Sequence, residues 1–178
     1  LTAEAAKAPV GSQGLFWLPY LMGERTPHLD ATCRGGWIGL TAKHTHADLI
    51  RSVLEGVSYS QKDCLDIIEG MNVSVKRIRL SGGGAKSAFW RQMFADVFGR
   101  TVATLETQEG SAYGAALLAL VGTGAYGSVE EVCRTAICEV ETVTPRSDEA
   151  RRYADAHKVY KALYPALRPV YGQIQTLD

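Results

Sequence analysis

Between a strand-like run, Arg77-Ile78-Arg79-Leu80-Ser81, and a helix-like run beginning near Ala88, the chain places Gly82, Gly83 and Gly84, then Ala85, Lys86 and Ser87. A glycine inside an element costs about 0.5–1 kcal/mol relative to alanine. Three in succession therefore mark a sharp turn, or a place where something approaches the backbone closely. A strand, a glycine-rich turn and a helix also turn backbone N–H groups and the positive end of the helix dipole outward, an arrangement that suits phosphate. Two named patterns can be tested on the letters. The P-loop fails, because Ala85 stands where the glycine before Lys86-Ser87 belongs and the leading glycine is missing. The dinucleotide fingerprint G-x-G-x-x-G starts at Gly82 and passes Gly84, but its third position falls on Ser87. Glu106, at the end of the next strand-like run, can imitate the ribose-binding acid of that fold. A plain tight turn is the alternative without chemistry.

Other reactive residue types carry less. His44 and His46 are metal ligands by type, yet they lie in a loop before a capped helix and read as surface residues. Cys33, Cys64, Cys133 and Cys138 form no C-x-x-C pair and have no matching histidine cluster. They read as buried or half-buried free thiols in a reducing cytoplasm.

The elements that must hold the turn can be read in order. "GLFWLP" (14–19) is a short buried strand, the run 20–36 a loop, and "GWIGL" a second short strand. Thr45 with Asp48 three residues on opens a helix as an acidic capping box. Leu49, Ile50, Val53, Leu54, Val57, Leu65 and Ile68 recur at helical spacing, and Gly70 is placed as the stop. Such a helix is about 37 Å long. "RIRLS" is a strand; Phe89, Trp90, Met93, Phe94 and Val97 form one apolar helix face closed by Gly99; "TVATLE" is the next strand. "SAYGAALLALVG" is a small-residue helix able to pack very closely. Ser128 and Glu131 make a second capping box, "CEVETVTP" an edge strand, and residues 147–174 a helix pair broken at Pro165. Alternating strands and helices indicate an α/β layered fold.

The 178 residues suffice for one domain with a proper core, and the formal net charge of zero argues against a nucleic-acid partner. No apolar run approaches the roughly 20 residues of a membrane span, and the first residues lack the pattern of a signal peptide. The chain does not begin with Met, which suggests a piece of something longer.

Four ordered stretches carry a family resemblance: "LPYLMGERTPH" (18–28), "GWIGLTAKHTHADLIRSVLEG" (36–56), "LSGGGAKSAFWRQMFADVFGRTV" (80–102) and "EGSAYGAALLA" (109–119). Together they resemble the C-terminal half of the FGGY family of carbohydrate kinases, and within it the xylulose kinases. A family signature reads through Gly35-x-Trp37-x-Gly39-Leu40 and then Asp48-Leu49-x-x-Ser52-Val53-Leu54-Glu55. The resemblance implies an actin-like ATPase architecture of two RNase H-like lobes closing on ATP, Mg and a sugar. Residues 1–178 are then most of the second, nucleotide-side lobe. It implies transfer of the γ-phosphoryl of ATP to a sugar, D-xylulose first, and a missing N-terminal lobe as the partner; a homodimer is left open.

Mapped by motif, Gly82, Gly83, Gly84 and Ala85 lie where the family backbone meets the nucleotide. Ser87 ranks above Lys86 as a ligand contact. Ala88 departs from an Asn that some members carry to reach adenine. Arg91 and Gln92 are open between contact and packing roles. Glu24 and Arg25 lie in a loop that, by resemblance, faces the cleft between lobes. Gly110, Ala112 and Gly114 are placed for close helix packing near that cleft. Sugar kinases need a base and a phosphate loop with Mg, and the family's versions lie upstream of these residues. Asp30, Asp48, Asp63 and Asp66 have no matching context, and those on the long helix read as cap or solvated face. No catalytic or metal-binding residue is assigned, and the chain alone is expected to be inactive. Two other readings are a non-catalytic nucleotide-binding or scaffolding module of actin-like fold, and a dinucleotide-dependent oxidoreductase domain resting on Gly82, Gly84 and Glu106.

Overall fold

The computed structural model describes residues 1–107 and 110–177. A one-turn helix, α1 (Thr2–Ala5), leads into two three-residue strands, β1 (Phe16–Leu18) and β2 (Gly36–Ile38), where aromatic and β-branched residues favour extended backbone. They pair antiparallel in the register Phe16↔Ile38, Trp17↔Trp37, Leu18↔Gly36, which brings the two tryptophan rings to 4.5 Å. The helix α2 (His46–Gly70) begins with the capping box read from the sequence: Asp48 N donates to the Thr45 hydroxyl (3.4 Å), and Thr45 N donates to the Asp48 carboxylate (2.8 Å). Gly56 lets α2 lie directly on β1, since a Cβ there would sit 2.1 Å from the Trp17 carbonyl oxygen.

The second sheet is built from β3 (Ile78–Leu80), β4 (Val102–Leu105) and β5 (Glu139–Val143), in that spatial order. The first two run parallel, with Ile78 opposite Val102, and β5 closes one edge antiparallel. Between β3 and β4 runs α3 (Ala88–Phe98), ended by Gly99 in the left-handed conformation as expected (φ +63°). α4 (Gly110–Gly122) and α5 (Val129–Ala136) pack on each other before β5. α6 (Ser147–Gln175) returns across α3. None of these helices is long and apolar enough to cross a membrane.

Several expectations are corrected. Gly70 does not stop α2 but is its last helical residue; Met71 is the cap and Asn72 takes the left-handed conformation (φ +61°). The buried face of α2 is mixed: Asp48, Arg51, Ser52, Glu55, Ser58 and Asp63 are inside beside Tyr59 and Leu65, while Ile68 is exposed. Distant partners satisfy those groups, which apolar periodicity does not reveal. The terminal helix is not broken at Pro165; α6 runs through both Pro165 and Pro169. Prolines each remove one N–H donor from a helix, but here they lie on the exposed side. The opposite stripe of Tyr153, His157, Tyr160, Tyr164 and Tyr171 is buried against Tyr59 and Tyr20. That aromatic packing holds the helix through the lost bonds. At α5 the Glu131 carboxylate reaches past Ser128 to accept from Gly127 N (2.8 Å). Cys138 is exposed, whereas Cys33 is buried and Cys64 and Cys133 are half-buried, all four as free thiols.

Candidate functional site

The glycine-rich turn leaves the carboxyl end of β3 and re-enters helix at α3. Gly82 has φ +79° and ψ −165°, a region open essentially to glycine alone. Gly83–Lys86 then form one 3₁₀ turn, tied by Ala85 N to the Gly82 carbonyl (3.2 Å) and Ser87 N to the Gly84 carbonyl (3.3 Å). The three glycines differ in what surrounds them. A Cβ on Gly82 or Gly83 would meet nothing within 4 Å, whereas one on Gly84 would press on the rings of Trp90 (3.3 Å) and Phe94 (3.4 Å). Gly84 is therefore small for the sake of the stacked Trp90–Phe94 pair beneath it. The open backbone belongs to Gly82 and Gly83.

Ser87 caps α3, its hydroxyl accepting from Trp90 N at 3.3 Å. Ala85 is buried; Lys86 and Ala88 are exposed. Arg91 donates to the Ala85 carbonyl (2.8 Å) and to Glu141 (2.7 Å), and Gln92 to Asp96 and the Thr144 carbonyl (both 3.0 Å). Both side chains hold the turn and helix to β5 and the segment after it. Around the turn the surface is hollowed. Ser81 joins an apolar slot of about 330 Å³ at the carboxyl ends of β3 and β4, walled by Leu105, Tyr113, Leu117 and Ile137. A polar hollow of about 830 Å³ lies beyond Ala85 and Lys86, bordered by Glu106 and Glu141. The slot was not read from the sequence; the only signal for it is the small-residue run of α4.

The remaining candidates divide. Glu24 accepts from Thr26 N (2.8 Å) and bridges Asp30 through the backbone, while burial pushes its carboxyl up. Asp30 accepts from the Thr32 hydroxyl and N–H and from the Tyr164 hydroxyl at 2.6, 2.8 and 2.8 Å, and these bonds hold its carboxyl at about 2. His44 accepts from Thr41 N (2.9 Å) in a local turn. Gly110 and Gly114 have open space where a Cβ would lie, so no close packing explains them among the described residues. Asp63 is not on a solvated face: it is buried and paired with His157 Nε2 at 2.8 Å. Asp63, Asp66 and His157 could group around a cation, but Asp66 already carries Lys62 and, at 3.7 Å, Lys161. The positive charge a metal would bring is supplied.

Sequence reasoning also missed a buried polar knot that fixes α2. Glu55 accepts from Arg51 Nε (2.7 Å), Gly11 N (2.9 Å), the Ser12 hydroxyl (2.8 Å) and the Tyr153 hydroxyl (3.0 Å). Arg51 also donates to the Ala8 carbonyl (2.8 Å) and to Tyr153 (2.7 Å), and lies over the Phe89 ring. Burial pushes the Glu55 carboxyl up against the pull of Arg51. The knot joins residues 8–12, α2, α3 and α6, and so seats the helix on which the turn's neighbours rest.

Residues 1–123 match the model of the FGGY family of carbohydrate kinases, C-terminal domain. The chain belongs to the FGGY family. A xylulose kinase of Staphylococcus epidermidis is 38% identical over 173 residues, which is 97% of this FGGY chain and 35% of that relative. A gluconokinase of Bacillus subtilis is 38% identical over 175 residues, covering 98% and 34%. The structure of ligand-bound xylulose kinase from Lactobacillus acidophilus superposes with a TM-score of 0.87 at 32% identity, over 97% of this chain and 35% of that one. The FGGY chain thus has the actin-like ATPase fold of a C-terminal lobe and spans about a third of the length of the relatives it matches.

Proposed function

We propose that this FGGY chain is the adenosine-side lobe of a sugar kinase whose whole polypeptide transfers the γ-phosphoryl of ATP to D-xylulose, giving D-xylulose 5-phosphate. The carrying observation is the turn: backbone open at Gly82 and Gly83, at the carboxyl end of a parallel strand and directly before the N-terminus of α3. Ligands of open α/β sheets lie outside the carboxyl ends of strands, and phosphate is favoured at a helix N-terminus. The sugar rests on the relatives' names, and the gluconokinase at 38% identity makes D-gluconate the competing substrate.

In this reading the residues of the lobe bind and orient. Gly82 and Gly83 admit the nucleotide to the backbone, Ala85 and Gly84 seat the turn on Trp90 and Phe94, and Ser87 fixes where α3 begins. Magnesium, which neutralises phosphate charge during phosphoryl transfer, has no fitting donor set here. Residues 81–88 offer backbone, two hydroxyls and one ammonium, and Glu141 at the adjoining hollow is held by Arg91. Mg²⁺ favours octahedral oxygen ligands including carboxylate, so these residues bind phosphate rather than the metal. The base that accepts the sugar's proton is assigned to the other lobe, along with the phosphate loop. We place the protein in the cytoplasm, where ATP is available and its thiols stay reduced.

Titration calorimetry of the chain with Mg-ADP, beside NAD and beside Gly83→Val, tests the reading. Gly83→Val fills the approach without touching a neighbour and should weaken ADP at least about tenfold, about 1.4 kcal/mol. NAD binding in place of ADP, or ADP binding indifferent to Gly83→Val, refutes it.

A further inference from the structure

Where residues 6–10, α2, α3 and the first turns of α6 meet, they enclose a cavity of about 420 Å³, lined by none of residues 81–88. The volume lies within the ordinary range of small-molecule sites. Its walls divide by chemistry. Ala8, Pro9, Val10, Phe89 and Met93 make an apolar part, and Arg51, Gln92, Arg146, Glu149 and Arg152 a polar one. The charges are unequally matched. Arg51 is paired with Glu55 at 2.7 Å and Arg146 with Asp96 at 2.6 Å. Glu149 and Arg152 are left over. They stand three residues apart on α6, the spacing at which opposite charges on a helix meet, yet they are not joined. Arg152 is exposed and has no hydrogen bond or ion pair among the described residues. Glu149 Oε2 is closed off from solvent and accepts no hydrogen bond among the described residues, and Glu149 acts on Arg146 only through the field between them. A carboxylate oxygen in that position is unfavourable, and it gains by turning to a donor. Gln92 gives its amide N–H groups to Asp96 and the Thr144 carbonyl, which leaves its own carbonyl as an acceptor.

We propose that this cavity binds a small α-amino acid with an apolar side chain. Its carboxylate lies on Arg152, its ammonium on Glu149 and the Gln92 carbonyl, and its side chain against Phe89 and Met93. Charge decides among the ligands the volume would admit. The unmatched pair sums to zero, so a zwitterion leaves the cavity neutral with both groups answered. A phosphate ester brings two negative charges to a single unmatched guanidinium, beside a carboxylate that repels it. A neutral sugar can donate to Glu149 but leaves Arg152 without an anion, and a wholly apolar ligand answers neither. The inference rests on these walls alone and stands whether or not the glycine-rich turn binds a nucleotide.

Titration calorimetry of the longer polypeptide containing this chain, with L-leucine as the probe, tests it. L-Leucine should bind with a Kd of about 1 mM or tighter. Isocaproate, which lacks the ammonium, and isoamylamine, which lacks the carboxylate, should each bind at least about tenfold more weakly. Glu149→Gln and Arg152→Gln each remove one charge with little change of shape, and each should weaken L-leucine at least about tenfold. Arg151→Gln, at a residue paired with Asp148 and outside the cavity, should leave binding unchanged. Unchanged thermal midpoints show that the variants are folded; where one is not, the two truncated ligands on the parent protein decide. No L-leucine binding, isocaproate binding as tightly as L-leucine, or L-leucine binding indifferent to Glu149→Gln overturns the inference. Inorganic phosphate that binds as tightly as L-leucine and is lost in Arg152→Gln also overturns it, since the cavity is then a plain anion site.

Discussion

Removing the Glu55 carboxylate should unfold this lobe from the inside. Glu55→Ala deletes an acceptor that serves Arg51, Gly11, Ser12 and Tyr153, and Arg51 is left with 5% of its surface exposed and no carboxylate within reach. Water does not reach this place freely; Glu55 itself is 1% exposed. Removing one partner of a buried pair costs about 3–5 kcal/mol, mainly through the stranded charge. For a chain of 178 residues, each kcal/mol moves the midpoint by about 2–4 °C, so Tm should fall by about 6–20 °C. Urea titration followed by far-UV circular dichroism gives the free energy directly. Arg51→Met should be severe as well, and the double substitution Arg51→Met/Glu55→Ala should cost less than the two singles added, with a coupling of at least about 1 kcal/mol. Hydrogen exchange in residues 8–12 should rise in Glu55→Ala, because Gly11 and Ser12 lose their anchor. A Glu55→Ala stability within about 1 kcal/mol of the parent, or strictly additive singles, would refute the claim that the knot seats α2.

Three further expectations follow from single contacts. Gly56→Ala drives a methyl into the Trp17 carbonyl at 2.1 Å and should cost at least about 3 kcal/mol by denaturant titration; a loss under 1 kcal/mol would mean that α2 slides off β1 easily. Pro165→Ala restores a helix donor at an exposed position of α6 and should stabilise by about 1–3 kcal/mol, whereas destabilisation would show that the proline is needed for packing. Asp30 has its carboxyl held down to about 2 by Thr32 and Tyr164. A depressed carboxyl stabilises the fold above its unfolded pKa, and that contribution is lost as pH falls from about 4 toward about 2. Asp30→Asn should flatten that part of the stability–pH curve, and an unchanged slope would clear Asp30 of the effect.

What the letters conveyed and what they hid has a physical pattern. Thr45 with Asp48, and Gly99 after α3, are local devices complete within four residues, and each stands where its chemistry puts it; Ser87, read as a ligand contact, also caps α3. The polar groups buried on α2, Asp63 among them, went unread because they are satisfied from afar: Glu55 and Arg51 meet Tyr153 about a hundred residues away, and Asp63 meets His157. Periodicity counts apolar residues and cannot see such partners. Pro165 was read as a break because proline's local penalty is visible in sequence, while the tyrosine stripe that offsets it is tertiary. At the turn the type of residue was legible but the division of labour was not. Gly84 serves Trp90 and Phe94, Gly82 serves conformation as well as access, and the open space lies at Gly82 and Gly83. Glu109, the first residue of the fourth resembling stretch, lies outside the described residues, as does Gln108 before it.

The tyrosine stripe of α6 sets the limits of what can fold as a unit. The match to the family model ends at residue 123, yet Tyr153 and Tyr160 are among the most deeply buried side chains and close the core over Tyr59 and Tyr20. The family model and the folded unit therefore end at different places along the chain. A polypeptide cut at residue 123 would keep the glycine-rich turn and the signature helix but lose the strap across them, leaving Glu55 and Arg51 without Tyr153 and Asp63 without His157. The last helix, unremarked by the family pattern, is the clasp that makes the recognisable part a solid object.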